Sequence, residues 1–146
     1  MRVIAIGSDH GGYELKGVLL EYLKGKKTKV IDCGTFSSDT VDYPDIAKLV
    51  GSKVVSGEAE FGILICGTGI GICMSANKIR GIRAAVLYND YAARMAKEHN
   101  DANIICFGGR TTEPDAAKQM IEVFMKSKFK GGRHQTRVDK IMSIEE

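Results

Sequence analysis

The sequence predicts an α/β fold, a five-stranded parallel sheet with helices on both faces and an extra helix at the C-terminal end. Three observations carry this. Strand-like and helix-like patterns alternate along the chain, which implies β-α-β crossovers and a parallel sheet. The strand candidates are short and nearly all apolar, as expected when both faces of a sheet are covered. No repeat, low-complexity segment or linker interrupts the alternation. The expected architecture is therefore three-layered and Rossmann-like. A length of 146 residues predicts one domain, 1–146, with 131–146 as a C-terminal helix.

The elements follow in order. Arg2–Gly7 reads as a strand, too short and without the cleavage pattern to be a signal peptide. Tyr13–Lys24 is amphipathic, with Leu15, Val18, Leu19, Tyr22 and Leu23 on one side. Lys29–Cys33 is a second strand, and Thr35–Asp42 a polar loop. Tyr43-Pro44-Asp45 opens a helix to about Val55, with the proline tolerated in the first turn. Phe61–Cys66 is the third strand, rich in branched apolar residues, and a helix follows from about Gly71 to Lys78. Arg83–Leu87 is a strand, Asp90–Glu98 a helix and Asn103–Phe107 the fifth strand. Thr112 reads as the N-cap of a helix to Lys126, with Pro114 in its first turn. After Gly131-Gly132 comes a last helix, roughly Arg133–Ile144, apolar at Val138, Ile141, Met142 and Ile144. That helix docks on its own domain or on a neighbouring subunit, and the pattern alone supports both.

Bulk properties narrow the function. A formal charge of +3 is too small to argue for nucleic acid, and the basic residues are scattered except near the C-terminus. No apolar stretch approaches the ~20 residues of a membrane span. Cys33, Cys66, Cys73 and Cys106 show no CxxC or metal-ligand spacing, which suggests free thiols in a reducing cytoplasm.

Polar residues collect after the strands: Ser8-Asp9-His10-Gly11-Gly12, then Cys66-Gly67-Thr68-Gly69-Ile70-Gly71, then Gly108-Gly109-Arg110. In a parallel sheet these loops share one edge, where such folds place their chemistry. The glycine loop is not a Walker loop, and no acidic residue for a ribose hydroxyl is obvious at the fourth strand's end, where Tyr88-Asn89 leads into the helix that Asp90 opens, which argues against a dinucleotide site. A loop leading into a helix offers free N–H groups to an anion. A cysteine just before it has the setting in which a thiol, near pKa ~8.5 when unperturbed, falls toward neutrality and serves as base or nucleophile. An inert buried cysteine is the competing reading, and Cys33, Cys73 and Cys106 fit that better than Cys66. Asp9 either caps a helix or binds a sugar hydroxyl, and His10 suits a phosphate or a proton. His99 ends a helix, where the dipole favours imidazolium and a general acid, though a solvated cap competes. Arg133 and Arg137, at i and i+4, share a helix face and suit a phosphate dianion as well as they suit solvent.

Taken together, Gly7-Ser-Asp-His-Gly-Gly12, Asp42-Tyr-Pro-Asp45, Cys66-Gly-Thr-Gly-Ile-Gly71, Ala76-Asn-Lys78, Gly81-Ile-Arg-Ala-Ala85, Glu98-His-Asn-Asp-Ala-Asn103 and Gly131-Gly-Arg-His134 with Arg137 closely resemble ribose-5-phosphate isomerase type B. The wider family includes allose-6-phosphate and galactose-6-phosphate isomerases. The resemblance runs through essentially the whole chain. It implies a cofactor-independent, metal-free aldose–ketose isomerase acting on a sugar phosphate through an enediolate, in a homodimer or tetramer whose sites a second subunit completes. Cys66 would be the base, since the glutamate of one branch of the family, just after the last loop glycine, is Ile72 here. Thr68 and the amides of Gly67, Gly69, Ile70 and Gly71 would stabilise the enediolate, and His99 would open the furanose ring. Asp9 and Asn100 would hold sugar oxygens beside Tyr43, and His10, Arg110, Arg133 and Arg137 would gather round the phosphate. The expected reaction interconverts ribose 5-phosphate and ribulose 5-phosphate. The rivals are a six-carbon sugar phosphate, a non-catalytic phosphate- or nucleotide-binding module, and a dehydrogenase fragment.

Overall fold

The computed structural model describes residues 1–145. Strands β1 (Arg2–Ser8), β2 (Thr28–Asp32), β3 (Phe61–Cys66), β4 (Ala84–Val86) and β5 (Ile104–Gly108) alternate with helices α1 (Tyr13–Lys24), α2 (Tyr43–Val55), α3 (Ile70–Asn77), α4 (Asp90–Glu98), α5 (Pro114–Lys126) and α6 (Arg133–Ser143). All the strands are parallel and lie in the order β2-β1-β3-β5-β4. The chain moves from β1 out to β2, then returns to place β3 on the other side of β1. The crevice between the carboxyl ends of β1 and β3 is thus a topological switch point, the place where open α/β sheets hold ligands.

The two-residue period of a strand sends alternate side chains to opposite faces. Ile4, Ile6, Ile63, Ile65, Ile105 and Phe107 pack under α1, α4 and α5. Ala5, Leu64, Cys66, Ile104 and Cys106 pack under α2 and α3. Every residue of β3 and β5 is buried, which explains their nearly unbroken apolar sequence. The exposed edge of β4 is blunted by Asn77, whose amide accepts from Ala84 N–H at 2.8 Å and donates to Ala84 C=O at 2.9 Å.

The α/β expectation holds in full. Pro44 and Pro114 stand in first turns, as their fixed φ favours. One boundary is corrected. Thr112 does not cap α5, because its N–H bonds Gly108 C=O at 2.9 Å within the preceding turn, and Glu113 takes the cap position ahead of Pro114. Helix α6 lies on its own chain, burying His134 and Val138 and tied by Gly81 N–H to Glu145 Oε1 at 2.8 Å. Its Ile141, and Ile144 just after it, stay exposed.

On the outer face, Glu122 of α5 accepts from Tyr22 Oη and pairs with Lys26 at 2.9 Å and Lys126 at 3.5 Å. The tyrosine hydrogen bond, then the lysines, lower the Glu122 carboxyl to about 2. A folded-state pKa below the unfolded value stabilises the fold above the unfolded pKa. That contribution is complete above the ordinary 4.5 and is lost as pH falls toward about 2. Acid titration followed by circular dichroism should therefore show a shallower loss of stability across this window in Glu122→Gln than in wild type.

Candidate active site

Cys66 ends β3, only 4% exposed, at the floor of a cleft. The loop behind it requires glycine at one point in particular. Gly69 has φ +81°, and a Cβ there would stand 2.9 Å from the carbonyl carbon of Phe107. This turn aims Gly69 N–H at Cys66 Sγ, 3.2 Å away. Helix α3 starts at Ile70, whose N–H is taken by Thr68 Oγ1 at 3.2 Å. Among the described residues, the N–H groups of Thr68 and Gly71 meet no acceptor within the chain. The sulfur thus sits beside free donors at the positive end of a helix, a setting that stabilises negative charge.

The end of β1 forms the opposite wall. Asp9 Oδ1 accepts from Gly11 N–H at 2.8 Å and Gly12 N–H at 3.2 Å, so the capping reading is correct. The carboxylate nevertheless lines the cleft, and Oδ2 accepts nothing from the described residues. One oxygen holds the turn and the other is left for a ligand. His10 Nδ1 accepts from Val41 N–H at 3.3 Å. A neutral His10 must then carry its proton on Nε2, which makes that atom a donor.

The cleft, about 1010 Å³, gathers Asp9, His10, Tyr43, Cys66, Gly67, Thr68, Ile70, Gly71 and Arg110. Gly69 is buried beneath it. The loop after β5 is clamped to the cysteine loop by Gly109 N–H to Cys66 C=O at 2.7 Å and Arg110 N–H to Gly67 C=O at 3.0 Å. Tyr43 lies so close to Gly71 that a Cβ there would stand 2.5 Å from the ring.

The other four candidates stand elsewhere. Cys66 pairs with Gly108 at the carboxyl edge of the sheet, and Gly62 with Ile104 at the amino edge. At about 3.3 Å per residue, that strand alone separates the edges by roughly 13 Å. His99 and Asn100 follow α4 and precede β5, so they occupy the amino edge. Lys130 N–H bonds Glu98 C=O at 3.0 Å, bringing the start of α6, with Arg133 and Arg137, to the same place. His99 stacks on the buried His134 with centroids 4.0 Å apart and planes 13° from parallel. Burial, then the charges of His99, Arg133, Arg137 and Lys130, lowers the His134 pKa. Within one chain, His10 and Arg110 therefore do not converge with Arg133 and Arg137.

The remaining cysteines do not reach the cleft. Burial pushes the thiols of Cys33 and the fully buried Cys106 up. Cys73 is lowered by a hydrogen bond from Cys106 beneath α3. All four thiols are free. Among the described residues, no group of three or more His, Cys, Asp and Glu could hold a metal ion, and no helix is long and apolar enough to cross a membrane.

Sequence reading gives no role to Thr40, Val41 and Met74 in the cleft wall, nor to Asp42 and Asp45, although these two flank Tyr43 in a motif that carries the resemblance. It also missed Lys16, which is 2% exposed and reaches Asp32 Oδ1 at 2.7 Å. Asp32 Oδ1 also accepts from Gly34 N–H at 2.9 Å, and so anchors the loop that carries Val41. The signal was present: Lys16 shares a helical stripe with Leu19 and Leu23.

Residues 4–141 match the family model described as Ribose/Galactose Isomerase. Ribose-5-phosphate isomerase B of Escherichia coli K12 is 44% identical over 146 residues, covering 100% of this chain and 98% of that protein. The structure of Clostridium thermocellum ribose-5-phosphate isomerase B superposes with a TM-score of 0.97 at 52% identity, covering 98% of this chain and 97% of the other. Ribose-5-phosphate isomerase B from Mycoplasma genitalium, solved with bound ribulose-5-phosphate, gives 0.93 at 43% identity over 98% of this chain and 95% of that one.

Proposed function

The chain belongs to the ribose/galactose isomerase family, and we propose on that premise that it interconverts ribose 5-phosphate and ribulose 5-phosphate. The observation that carries this is Cys66 on the cleft floor with Gly69 N–H aimed at its sulfur. Proton transfer between adjacent carbons needs a base, donors for the oxyanion it creates, and an anchor for the phosphate. Cys66 Sγ, as thiolate, takes the proton from C2 of the open-chain aldose, and the electron pair moves onto O1. The free amides of the 67–71 loop and Thr68 face the resulting enediolate. The same sulfur returns a proton to C1, and a hydroxyl proton passes from O2 to O1, which leaves the ketose. Asp9 and Tyr43 hold sugar oxygens, and His10 and Arg110 bind the phosphate.

The split between the two sheet edges supports a homodimer, or a larger assembly of dimers, in which each cleft is completed by a second copy. That copy supplies His99 for ring opening, Asn100 for a sugar oxygen, and Arg133 and Arg137 for the phosphate. Two guanidiniums one helical turn apart match a phosphate dianion. The exposed Ile70 and Met74 at the cleft, Ile141 on α6 and Ile144 just after it are apolar surface available to such a contact. The enzyme works without cofactor or metal, in the cytoplasm, in the pentose phosphate pathway.

A coupled assay in deuterium oxide with ribose 5-phosphate, allose 6-phosphate and galactose 6-phosphate tests this reading. Fastest turnover is expected on ribose 5-phosphate, with deuterium at C1 of the ketose. Faster turnover of a six-carbon sugar moves the assignment to that substrate. Binding without turnover or deuterium uptake overturns the enzyme assignment in favour of a phosphate-binding module.

A further inference from the structure

We propose that Arg83 is a positioning residue for the His99–Asn100 half of the site, an inference that rests on the isomerase reading above. Arg83 precedes β4 and is about one-fifth exposed. Its guanidinium faces backbone carbonyls, a sulfur and the Asp101 carboxylate, whose Oδ2 lies 3.8 Å from Nη2. Nε donates to Asn100 C=O at 3.1 Å and to Asp101 C=O at 3.2 Å, and Nη2 donates to Asp101 C=O at 2.7 Å. Nη1 donates to Met142 Sδ of α6 at 3.4 Å. One side chain therefore ties the turn after His99 to the helix that bears Arg133 and Arg137. Its own backbone is held too, since Arg83 N–H donates to Asn103 Oδ1 at 2.7 Å and Asn103 Nδ2 donates to Gly81 C=O at 2.9 Å.

The turn needs this support. Asp101 has φ +45°, a left-handed conformation that is uncommon outside glycine and persists when its surroundings over-determine it. Lys97 helps by pairing with the Asp101 carboxylate at 2.7 Å, but that contact holds the side chain and not the turn's carbonyls. Without the guanidinium, the two carbonyls lose the donor that fixes the plane of the turn. His99 and Asn100 then lose their set position, although neither touches Cys66 in its own chain. Small displacements of a positioned group cost one to two orders of magnitude in rate. A lysine offers one charged centre where the planar fork serves two carbonyls and a sulfur, so it substitutes only in part.

The test uses the full chain and two readouts: turnover of ribose 5-phosphate, and exchange of the C1 hydrogen of ribulose 5-phosphate with deuterium oxide. The exchange needs Cys66 and the enediolate, whereas turnover of the ring-closed aldose also needs His99. Arg83→Met is expected to lower kcat about tenfold with KM changed less than about threefold. The exchange rate falls less than turnover, because it needs Asn100 but not His99, so the ratio of exchange to turnover rises. Arg83→Lys should fall between the two. Adding Asp101→Gly to Arg83→Met should recover part of the loss, because glycine adopts the left-handed turn unaided. Wild-type kcat in Arg83→Met overturns the inference. So does a parallel fall of exchange and turnover with no recovery in the double variant. A wild-type chain that shows neither turnover nor exchange refutes the isomerase reading and this inference with it, whereas an active wild type with unaffected variants refutes this inference alone.

Discussion

Cys66→Ala is expected to lower turnover of ribose 5-phosphate by about 10³–10⁴-fold, roughly 4–5.5 kcal/mol, while the substrate still binds. The size of the effect follows from the absence of a substitute at that position. The cleft holds one thiol, and the nearby Cys73 and Cys106 are buried beneath α3, outside its lining. Asp9 uses one oxygen to cap its turn and His10 offers a donor, so neither is arranged to carry a proton between C1 and C2. Binding should survive because the phosphate and hydroxyl contacts do not involve the sulfur. Removing it leaves the buried Gly69 N–H without its acceptor, a cost that falls on the loop and not on those contacts. Cys66→Ser supplies the control. It keeps an acceptor for Gly69 N–H, so the loop stays in place, but an alcohol is too weak an acid to serve as the shuttle. Near-wild-type turnover in either variant would show that the proton is carried by another group.

Much of this fold is legible in the sequence for identifiable reasons. The helix over Tyr43–Val55 and the strand over Phe61–Cys66 stand where the proline and the apolar run place them. The strand order β2-β1-β3-β5-β4 is not legible, because buried parallel strands are nearly interchangeable apolar runs. The start of α5 is not legible at Thr112, since a threonine before a helix can cap it or be consumed by the preceding turn, and here the turn wins. The cysteine loop is readable because few functions require a thiol followed by alternating glycines. The glycine at 69 has a backbone reason that the pattern already suggested. What remained hidden was the separation of the candidate residues between the two edges of the sheet. His99 lies between a helix and the following strand, which in a parallel sheet is always the amino edge, yet its chemistry invites placement beside Cys66. Lys16 and Arg83 stayed unremarked because a cation on an apolar stripe or before a strand shows its role only when its carboxylate or carbonyl partners are in view.

If each cleft combines Cys66 of one copy with His99 of another, a Cys66→Ala homodimer lacks the base in both sites, and a His99→Ala homodimer lacks the ring-opening group in both. The latter should retain about 1% of turnover, the usual cost of losing a general acid. In a mixed dimer, a two-fold axis puts both substitutions into one site and leaves the other complete. The decisive measurement is turnover of ribose 5-phosphate after equal amounts of Cys66→Ala and His99→Ala chains are dissociated together and reassembled. With random pairing, half of the dimers are mixed and each carries one complete site of two, so about a quarter of wild-type turnover should return. Turnover no higher than that of the two variants assayed separately would contradict a site shared between copies, and would require Cys66 and His99 to act from the same chain.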